Sequence, residues 1–271
     1  MEKQLPTTLE VIGKTINILS KHLIVQINKH AVKVLFLENE QLLKEEQKRL
    51  SENNELKLKG ELDLFFENLS SFHFIPDHIS VSYDSCQSTL VPSNVFTESK
   101  PKEIFDLCFG NTTLGKDIDY NRISDQLIVN VFDLPYWIKS FFVVKYPMAI
   151  IQHESTYILR KINSEPSFKQ KMVVQVYPAY FQVYIIEKSQ LQFFNSIEYN
   201  HIDDIIYHLS FILQQKEIDG NEIIVHLSHG LEVDSALLTE ISSTYSKVFT
   251  KNKQIEINPQ FIIQTHQLCV S

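Results

Sequence analysis

Three consecutive runs of β-branched and aromatic residues constrain the fold of this chain more than any other feature. They cover Lys171–Tyr177, Tyr180–Glu187 and Gln190–Glu198, and the breaks between them, Pro178-Ala179 and Lys188-Ser189, are only two residues long. Runs of this composition and length, joined by such short breaks, are typical of an antiparallel β-meander. The second half of the chain is therefore predicted to open on three strands that pair in chain order.

The hydrophobic period changes directly after the meander. Apolar residues at helical spacing from Ile202 to Leu213 predict a helix, with Asn200 as its N-cap. The remaining predicted elements are a turn at Asp219-Gly220, a buried strand at Ile223–Leu227, a helix around Leu237–Tyr245 and a strand at Gln254–Ile257. This half is thus predicted to have the order βββαβαβ.

The first half repeats that order more loosely. Its predicted elements are a hairpin (His22–Asn28 and Ala31–Leu37), a helix around Leu58–Phe72, strands at Ile79–Tyr83, Thr89–Pro92 and Leu127–Phe132, a helix around Lys102–Cys108, a helix capped by Asp133 that runs to about Tyr146, and a last strand at Met148–Gln152. A short helix from Ser155 leads to the break at Asn163–Pro166. The sequence therefore predicts an α/β protein with two similar lobes, residues 1–166 and 167–271.

One segment does not fit this plan. From Glu38 to Glu61, 12 of 24 residues are charged, and the two signs are interleaved. Mixed charge of this kind favours a solvated helix or a mobile connection beside the hairpin. An acidic–basic contact arm is the functional alternative.

Charge and cysteine usage limit the partners and the compartment. The net charge of −8 argues against nucleic acid, because nucleic-acid-binding proteins usually carry a clustered basic face. Residues Met1–Leu19 show no apolar core of the signal-peptide type, and no apolar run approaches the roughly 20 residues that span a bilayer. Cys86, Cys108 and Cys269 lie far apart and form no Cys-x-x-Cys pair. We expect reduced thiols, a cytoplasmic protein and no membrane insertion.

Three segments carry a family resemblance: Thr89-Leu90-Val91-Pro92, the block Val176–Tyr199, and Ile223–Gly230. With the doubled element order, the sequence resembles an uncharacterised bacterial family, known chiefly from Bacteroidetes, that carries an actin-like ATPase fold. It is more distantly similar to the actin-like cytoplasmic proteins of pilus assembly and type II secretion. The resemblance implies two ribonuclease-H-like lobes, each opened by an antiparallel meander. It implies no established activity.

The resemblance also defines what an ATP site in this fold requires. Each hairpin should offer an acidic residue for the metal and glycine for close backbone approach to phosphate. Here the hairpins read Gln26–His30 and Val176–Tyr180, without Asp or Gly, and Pro178 lacks an N–H donor. Only the adenosine turn leaves a trace, in which Ser228 and Gly230 are the candidate cofactor-binding residues. We therefore expect no cofactor, with ATP and magnesium as the alternative.

No other constellation predicts chemistry. His226 and His229 lie on a strand and its turn, while His201 and His208 share a helix without partner ligands, so no metal site is expected. Cys86 matches no nucleophile signature, and no catalytic residue is predicted. The aromatic helical set Trp137, Phe141, Phe142 and Tyr146 is interpreted as core.

Two functions of different classes remain. The first is a non-catalytic actin-like scaffold or adaptor that binds a partner protein or a second copy of itself. The second is a divergent ATP-binding protein or weak ATPase, in which Asp84 or Asp133 would hold the metal at strand ends. The missing phosphate chemistry favours the first and leaves enzymatic activity open.

Overall fold

The computed structural model describes residues 20–51, 54–110, 116–165 and 168–267. The first lobe contains, in chain order, β1 (Lys21–Ile27), β2 (Ala31–Glu38), β3 (Gln41–Arg49), α1 (Glu55–Ser70), β4 (His78–Tyr83), β5 (Ser88–Pro92), α2 (Pro101–Phe109), β6 (Lys116–Ile123), β7 (Ile128–Pro135), α3 (Tyr136–Lys145), β8 (Ile150–His153) and α4 (Glu154–Ser164). The second lobe contains β9 (Lys171–Val176), β10 (Tyr180–Glu187), β11 (Gln190–Glu198), α5 (Ile202–Gln215), β12 (Ile224–His229), α6 (Ser235–Val248), β13 (Ile255–Ile257) and α7 (Phe261–Gln267).

The main sheets of the two lobes have the same topology. Their strand orders are β3-β2-β1-β4-β8 and β11-β10-β9-β12-β13. In each sheet the first three strands form an antiparallel meander, and the next two strands are added in parallel. Two mixed sheets opened by meanders match the predicted plan. The predicted boundary at residues 166–167 lies outside the described residues and stays a prediction.

The first lobe differs from its predicted order by an insertion between β4 and β8. Strands β5, β7 and β6 form a separate three-stranded antiparallel sheet, with α2 packed against it. The predicted strand Leu127–Phe132 therefore belongs to this small sheet. Asp133 is not a helix cap, because it lies within β7 and Pro135 precedes the first residue of α3.

The charged segment holds the third strand of the first meander. Residues Gln41–Arg49 form β3, which pairs with β2 along its length. The expectation of a helix or mobile connection is wrong for this part, and α1 begins only at Glu55. Cross-strand charge explains how so polar a strand is accommodated, since Lys33 Nζ lies 3.0 Å from Glu45 Oε1.

Each lobe has its own apolar core between sheet and helices. In the first lobe, Phe66 of α1 packs against Phe141, Phe142 and Tyr146, as the core interpretation of that aromatic set predicted. In the second lobe, α5 and α6 cover the sheet. The N-cap of α5 is His201 and not Asn200, and the Asp204 carboxylate accepts hydrogen bonds from both of their amides at 2.9 Å.

Two helices connect the lobes by packing across the division between them. Ile158, Leu159 and Ile162 of α4 contact the sheet of the second lobe. Helix α7 packs in the opposite direction, where Ile263 contacts Ile24 and Leu35 of the first sheet. This exchange places the N-terminus of α4 between the two sheets, where the candidate site lies.

Candidate functional site

The two meander turns face each other across a cavity of about 590 Å³. Asn28, Lys29 and His30 line it from the first lobe, and Pro178, Ala179 and Tyr180 line it from the second. The sequence identified both segments as the places where phosphate would be held in an ATP-binding relative. Because the fold brings them together, the cavity is the candidate functional site.

The backbone amides of the first turn are already used within that turn. Asn28 N donates to Ala31 O at 3.0 Å, and the Asn28 side-chain oxygen accepts from the amides of His30 and Ala31 at 2.8 Å each. Asparagine side chains commonly bond to the backbone of their own turn in this way. These three amides are therefore not directed at an anion in the cavity.

The second turn is built from aromatic side chains. Tyr177 N donates to Tyr180 O at 2.9 Å, and the two rings stack with centroids 4.4 Å apart. Pro178, between them, has no N–H to offer. The Tyr177 side chain is fully buried, and its hydroxyl donates to Glu154 Oε1 at 2.8 Å.

Glu154 is the chemical centre of the contact between the lobes. It is the first residue of α4, and its side chain is fully buried. Oε2 accepts from Gln26 Nε2 at 3.3 Å and from Ser82 Oγ at 3.4 Å, whereas Oε1 accepts from Gln175 Nε2 at 3.2 Å and from Tyr177. Burial raises the pKa of Glu154, while the four hydrogen bonds act in the opposite direction. With two donors from each lobe, the carboxylate joins the lobes and is closed off from a substrate.

Two of the four donors to Glu154, Gln26 and Gln175, occupy equivalent positions in the two sheets. Gln26 is paired with Ser82 across β1 and β4, and Gln175 is paired with Ser228 across β9 and β12. Both glutamines donate to the same carboxylate. Sequence reasoning missed this set, because the Gln-Ser pairs are 56 and 53 residues apart and become a pattern only when the two parallel strand pairs are aligned.

The predicted adenosine-turn residues lie on the second-lobe side of this network. Ser228 is buried, and its hydroxyl donates to the side-chain oxygen of Gln175. Gly230 N donates to Val176 O at 2.9 Å, and a Cβ at Gly230 would lie 2.3 Å from Cε1 of Tyr177. In this structure, the lack of a side chain at Gly230 makes room for the Tyr177 ring. Adenosine contact at Ser228 and Gly230 stays a prediction.

The two acidic candidates for a metal occupy different places. Asp84 lines the cavity and accepts from Asn28 Nδ2 at 3.3 Å. Burial, together with the negative charge of Glu154, raises the pKa of Asp84 well above its ordinary value, so the neutral carboxyl is favoured when no cation is bound. Asp133 lies in the inserted sheet, where it accepts from Ser85 Oγ at 2.6 Å and pairs with Lys116. The structure therefore brings only Asp84 to the cavity.

The remaining candidates have local structural partners. His226 Nδ1 lies 3.3 Å from Glu256 Oε2, and His229 Nδ1 lies 2.9 Å from Gly230 O. Within residues 20–51, 54–110, 116–165 and 168–267, no group of three or more His, Cys, Asp or Glu could hold a metal ion. Cys86 carries a free thiol whose pKa is raised by burial, which disfavours the reactive thiolate.

Comparison with solved structures identifies the fold. A protein of unknown function from Bacteroides thetaiotaomicron VPI-5482, described as having an actin-like ATPase fold, matches with a TM-score of 0.74 at 20% identity, over 92% of this chain and 96% of that one. A chain of the PilM–PilN type IV pilus biogenesis complex matches with a TM-score of 0.57 at 11% identity, over 89% of both chains. The chain thus has an actin-like ATPase fold with two ribonuclease-H-like lobes, as the resemblance implied.

The other comparisons place the chain in a family without a known activity. Across the part of the chain that the structure describes, no helix combines the length and apolar character needed to cross a membrane. No curated protein matches the sequence. A family model described as a protein of unknown function, DUF3822, matches residues 13–248. This chain therefore belongs to the DUF3822 family.

Proposed function

We propose that the protein is a non-catalytic, cytoplasmic, actin-like scaffold or adaptor that acts through protein–protein contacts. The observation that carries the proposal is the state of the two turns, which in an ATP-binding relative would hold phosphate. Three amides of the first turn bond to Asn28 or Ala31, and the second turn stacks Tyr177 on Tyr180. The fold keeps its two lobes, while the groups that would bind nucleotide are bonded to each other.

The contact between the lobes supports the same proposal. An ATPase of this architecture needs donors and carboxylates that face a ligand, whereas Glu154 accepts four hydrogen bonds from the protein itself. Such a network stabilises one arrangement of the lobes. A fixed arrangement suits a protein that presents a surface to a partner.

Two further observations support parts of this proposal. The PilM chain of similar fold is part of a complex with PilN. By analogy of fold alone, this supports a protein partner or a second copy of the chain as what the scaffold binds. The free thiols of Cys86 and Cys108 fit a reducing compartment such as the cytoplasm.

A divergent ATP-binding protein or weak ATPase is the second candidate. It is favoured by the cavity of about 590 Å³ and by Asp84, the one acidic candidate that lines it. This volume is within the usual range for a small-molecule site, about 300–1,000 Å³. In this alternative, ATP and magnesium would lie between the turns, with the adenosine at Ser228 and Gly230.

A thermal melt with and without ATP–magnesium separates the two candidates. A competent site with a Kd of about 10 μM would add about 2.7 kcal/mol at 1 mM ATP, which corresponds to a rise in Tm of roughly 5–10 °C. We expect a change below about 1 °C, with ATP lacking metal as the control for ionic strength. A metal-dependent rise above about 4 °C that Asp84→Asn abolishes would overturn the scaffold proposal.

A further inference from the structure

Among the residues that the structure describes, strand β11 pairs with β10 alone and ends the second sheet, so its other edge is hydrogen-bonded to no described strand. Tyr199 N donates to Ala179 O at 3.1 Å, which fixes the alternation of hydrogen-bonded pairs along this ladder. The amide and carbonyl groups of Phe194, Ser196 and Glu198 belong to the alternate pairs, so they point away from β10. Within the described part of the chain, no strand bonds to these outward groups, which lie along one line.

This edge strand carries few charged side chains. Only Glu198 is charged among the nine residues of β11, whereas β3, at the matching edge of the first sheet, carries five charged residues. Soluble proteins usually place charges, above all lysine, on exposed edge strands to prevent pairing with other chains. The contrast marks β11 as an edge that is available for pairing.

A groove of about 720 Å³ runs beside the same edge. Its walls are Phe193 and Asn195–Glu198 of β11, Phe211 on α5, and Cys86, Gln87 and Phe109 on the side of the inserted sheet. Phe211 is 49% exposed although it is a large apolar side chain. Phe193 to Glu198 spans five residue steps, or about 17 Å, so the groove matches an extended segment of about six residues.

The two ends of the groove differ in charge. Lys216 lies at the end of α5, with Nζ 5.3 Å from the centre of the Phe193 ring. Glu198 lies at the other end of β11. A strand antiparallel to β11 would begin near Glu198 and finish near Lys216. Charge complementarity then selects a basic group at the start of the bound segment and an acidic group at its end.

From these observations we propose that β11 binds an extended segment of a partner protein, which adds to the second sheet as an antiparallel sixth strand. The segment has a basic residue first, an acidic residue last, and apolar side chains at alternate positions that contact Phe109 and Phe211. Backbone hydrogen bonds to Phe194, Ser196 and Glu198 hold the segment, as in other cases of strand addition. This inference rests on the proposed scaffold function and names its binding surface.

The test uses a fluorescent synthetic eight-residue peptide with lysine first, glutamate last, and valine alternating with threonine between them. Anisotropy is measured on the full-length chain and on two variants of one position. Ser196→Pro removes an outward amide without taking a bond from the β10–β11 ladder, and proline is tolerated at such an edge position. Ser196→Ala keeps the amide and is the matched control. We expect at least tenfold weaker binding to Ser196→Pro and unchanged binding to Ser196→Ala.

A second peptide keeps the proposal falsifiable if Ser196→Pro fails to fold. It has the same side chains, but the alternate amides that face β11 are N-methylated, and we expect it to lose binding. Equal binding of both peptides, or binding of neither, would overturn the proposal. Tighter binding of a peptide with exchanged end charges would overturn the antiparallel orientation. A dimer in sedimentation that Ser196→Pro abolishes would show that the occupant is a second copy.

The outcomes are independent of the ATP test. If ATP–magnesium leaves Tm unchanged and the peptide does not bind, the scaffold proposal stands and the proposed binding surface is wrong. If ATP–magnesium raises Tm as described above, the scaffold proposal is wrong whatever the peptide shows.

Discussion

The two lobes repeat one topology but send different side chains to the cleft between them. Both supply a glutamine and a serine at the same places in their sheets, Gln26 with Ser82 and Gln175 with Ser228. Beyond these pairs, the first lobe supplies the polar groups of Asn28 and Asp84, and the second supplies the rings of Tyr177 and Tyr180. The comparison teaches that the shared glutamines bond to the carboxylate between the lobes, whereas residues that differ, Asn28, Asp84 and Tyr180, line the cavity beside it.

The lobes also differ outside the cleft. Between β4 and β8 the first lobe carries the inserted sheet, whereas β12 is followed directly by α6 and β13. The insertion supplies Phe109 and Gln87 to the groove beside β11. An addition to one lobe thus forms part of a surface on the other, which a symmetric pair of lobes would lack.

The largest effect is expected at Gly230 in the second lobe, which is packed far more closely than Gly60 in the first lobe. A Cβ at Gly230 would lie 2.3 Å from the Tyr177 ring, which is buried and bonded to Glu154, so the ring has little freedom to move. Overpacking of this kind costs about 1–3 kcal/mol. We expect Gly230→Ala to lower Tm by several degrees, at roughly 2–4 °C per kcal/mol.

The first lobe offers the matched control. Gly60 lies in α1, and a Cβ at this position would meet no atom within 4 Å, so alanine fits there. Alanine also favours a helix over glycine by about 0.5–1 kcal/mol. Gly60→Ala should keep or raise Tm. If both variants behaved alike, the close packing of Tyr177 against Gly230 would not be what fixes the second turn.

Much of the second lobe is predictable because its strands are covered by apolar side chains. The predicted bounds of β10 and β11 agree with the structure, and those of β9 differ by one residue. Strand β3 was missed because its sequence, QLLKEEQKR, has neither alternation nor an apolar majority. Its pairing comes from backbone hydrogen bonds to β2 and from contacts such as Lys44 Nζ over the Phe72 ring at 5.1 Å.

The site was predictable only as two turns. Sequence reasoning located both hairpins and found them without the groups that bind phosphate. It did not find Glu154, because a single glutamate at the start of a short helix looks like any other favourable residue near a helix N-terminus. Its role depends on Gln26, Ser82, Gln175 and Tyr177, which four different strands or turns bring to it.

An intermediate effect is expected at the carboxylate that the lobes share. Burial raises the pKa of Glu154 in the folded state, so over the range between the unfolded and folded values the folded state binds more protons. The stability that protonated Glu154 contributes is therefore fully present below the unfolded pKa and is lost as the pH rises through the folded pKa. Glu154→Gln removes this titration, and we expect its Tm to fall less than that of the wild type as the pH is raised above the ordinary pKa of a glutamate.

The control for this prediction is Glu67→Gln, which changes an exposed glutamate on α1. Its Tm should follow the wild-type curve throughout. The Asp84 carboxyl, whose pKa is raised partly by Glu154, remains in the Glu154→Gln variant and leaves some pH dependence. Parallel curves for wild type and Glu154→Gln would contradict the burial of a shared carboxylate between the lobes.

The smallest effect is expected at the rim of the cavity, where opposite charges from the two lobes meet. Arg49 Nε, at the end of β3, lies 3.3 Å from Glu232 Oε1 in the second lobe, and the arginine side chain is 85% exposed. Exposed pairs contribute about 0–1 kcal/mol, because water screens them and both side chains lose freedom. Arg49→Ala should therefore lower Tm by no more than about 2–4 °C, and the difference should vanish in 1 M salt, where the screening length is about 3 Å.

Lys145→Ala, which removes a pair with Asp63 at 3.2 Å inside the first lobe, is the matched comparison. A loss at Arg49 much larger than at Lys145 and insensitive to salt would mean that the rim pair, and not Glu154 with its four donors, holds the lobes together.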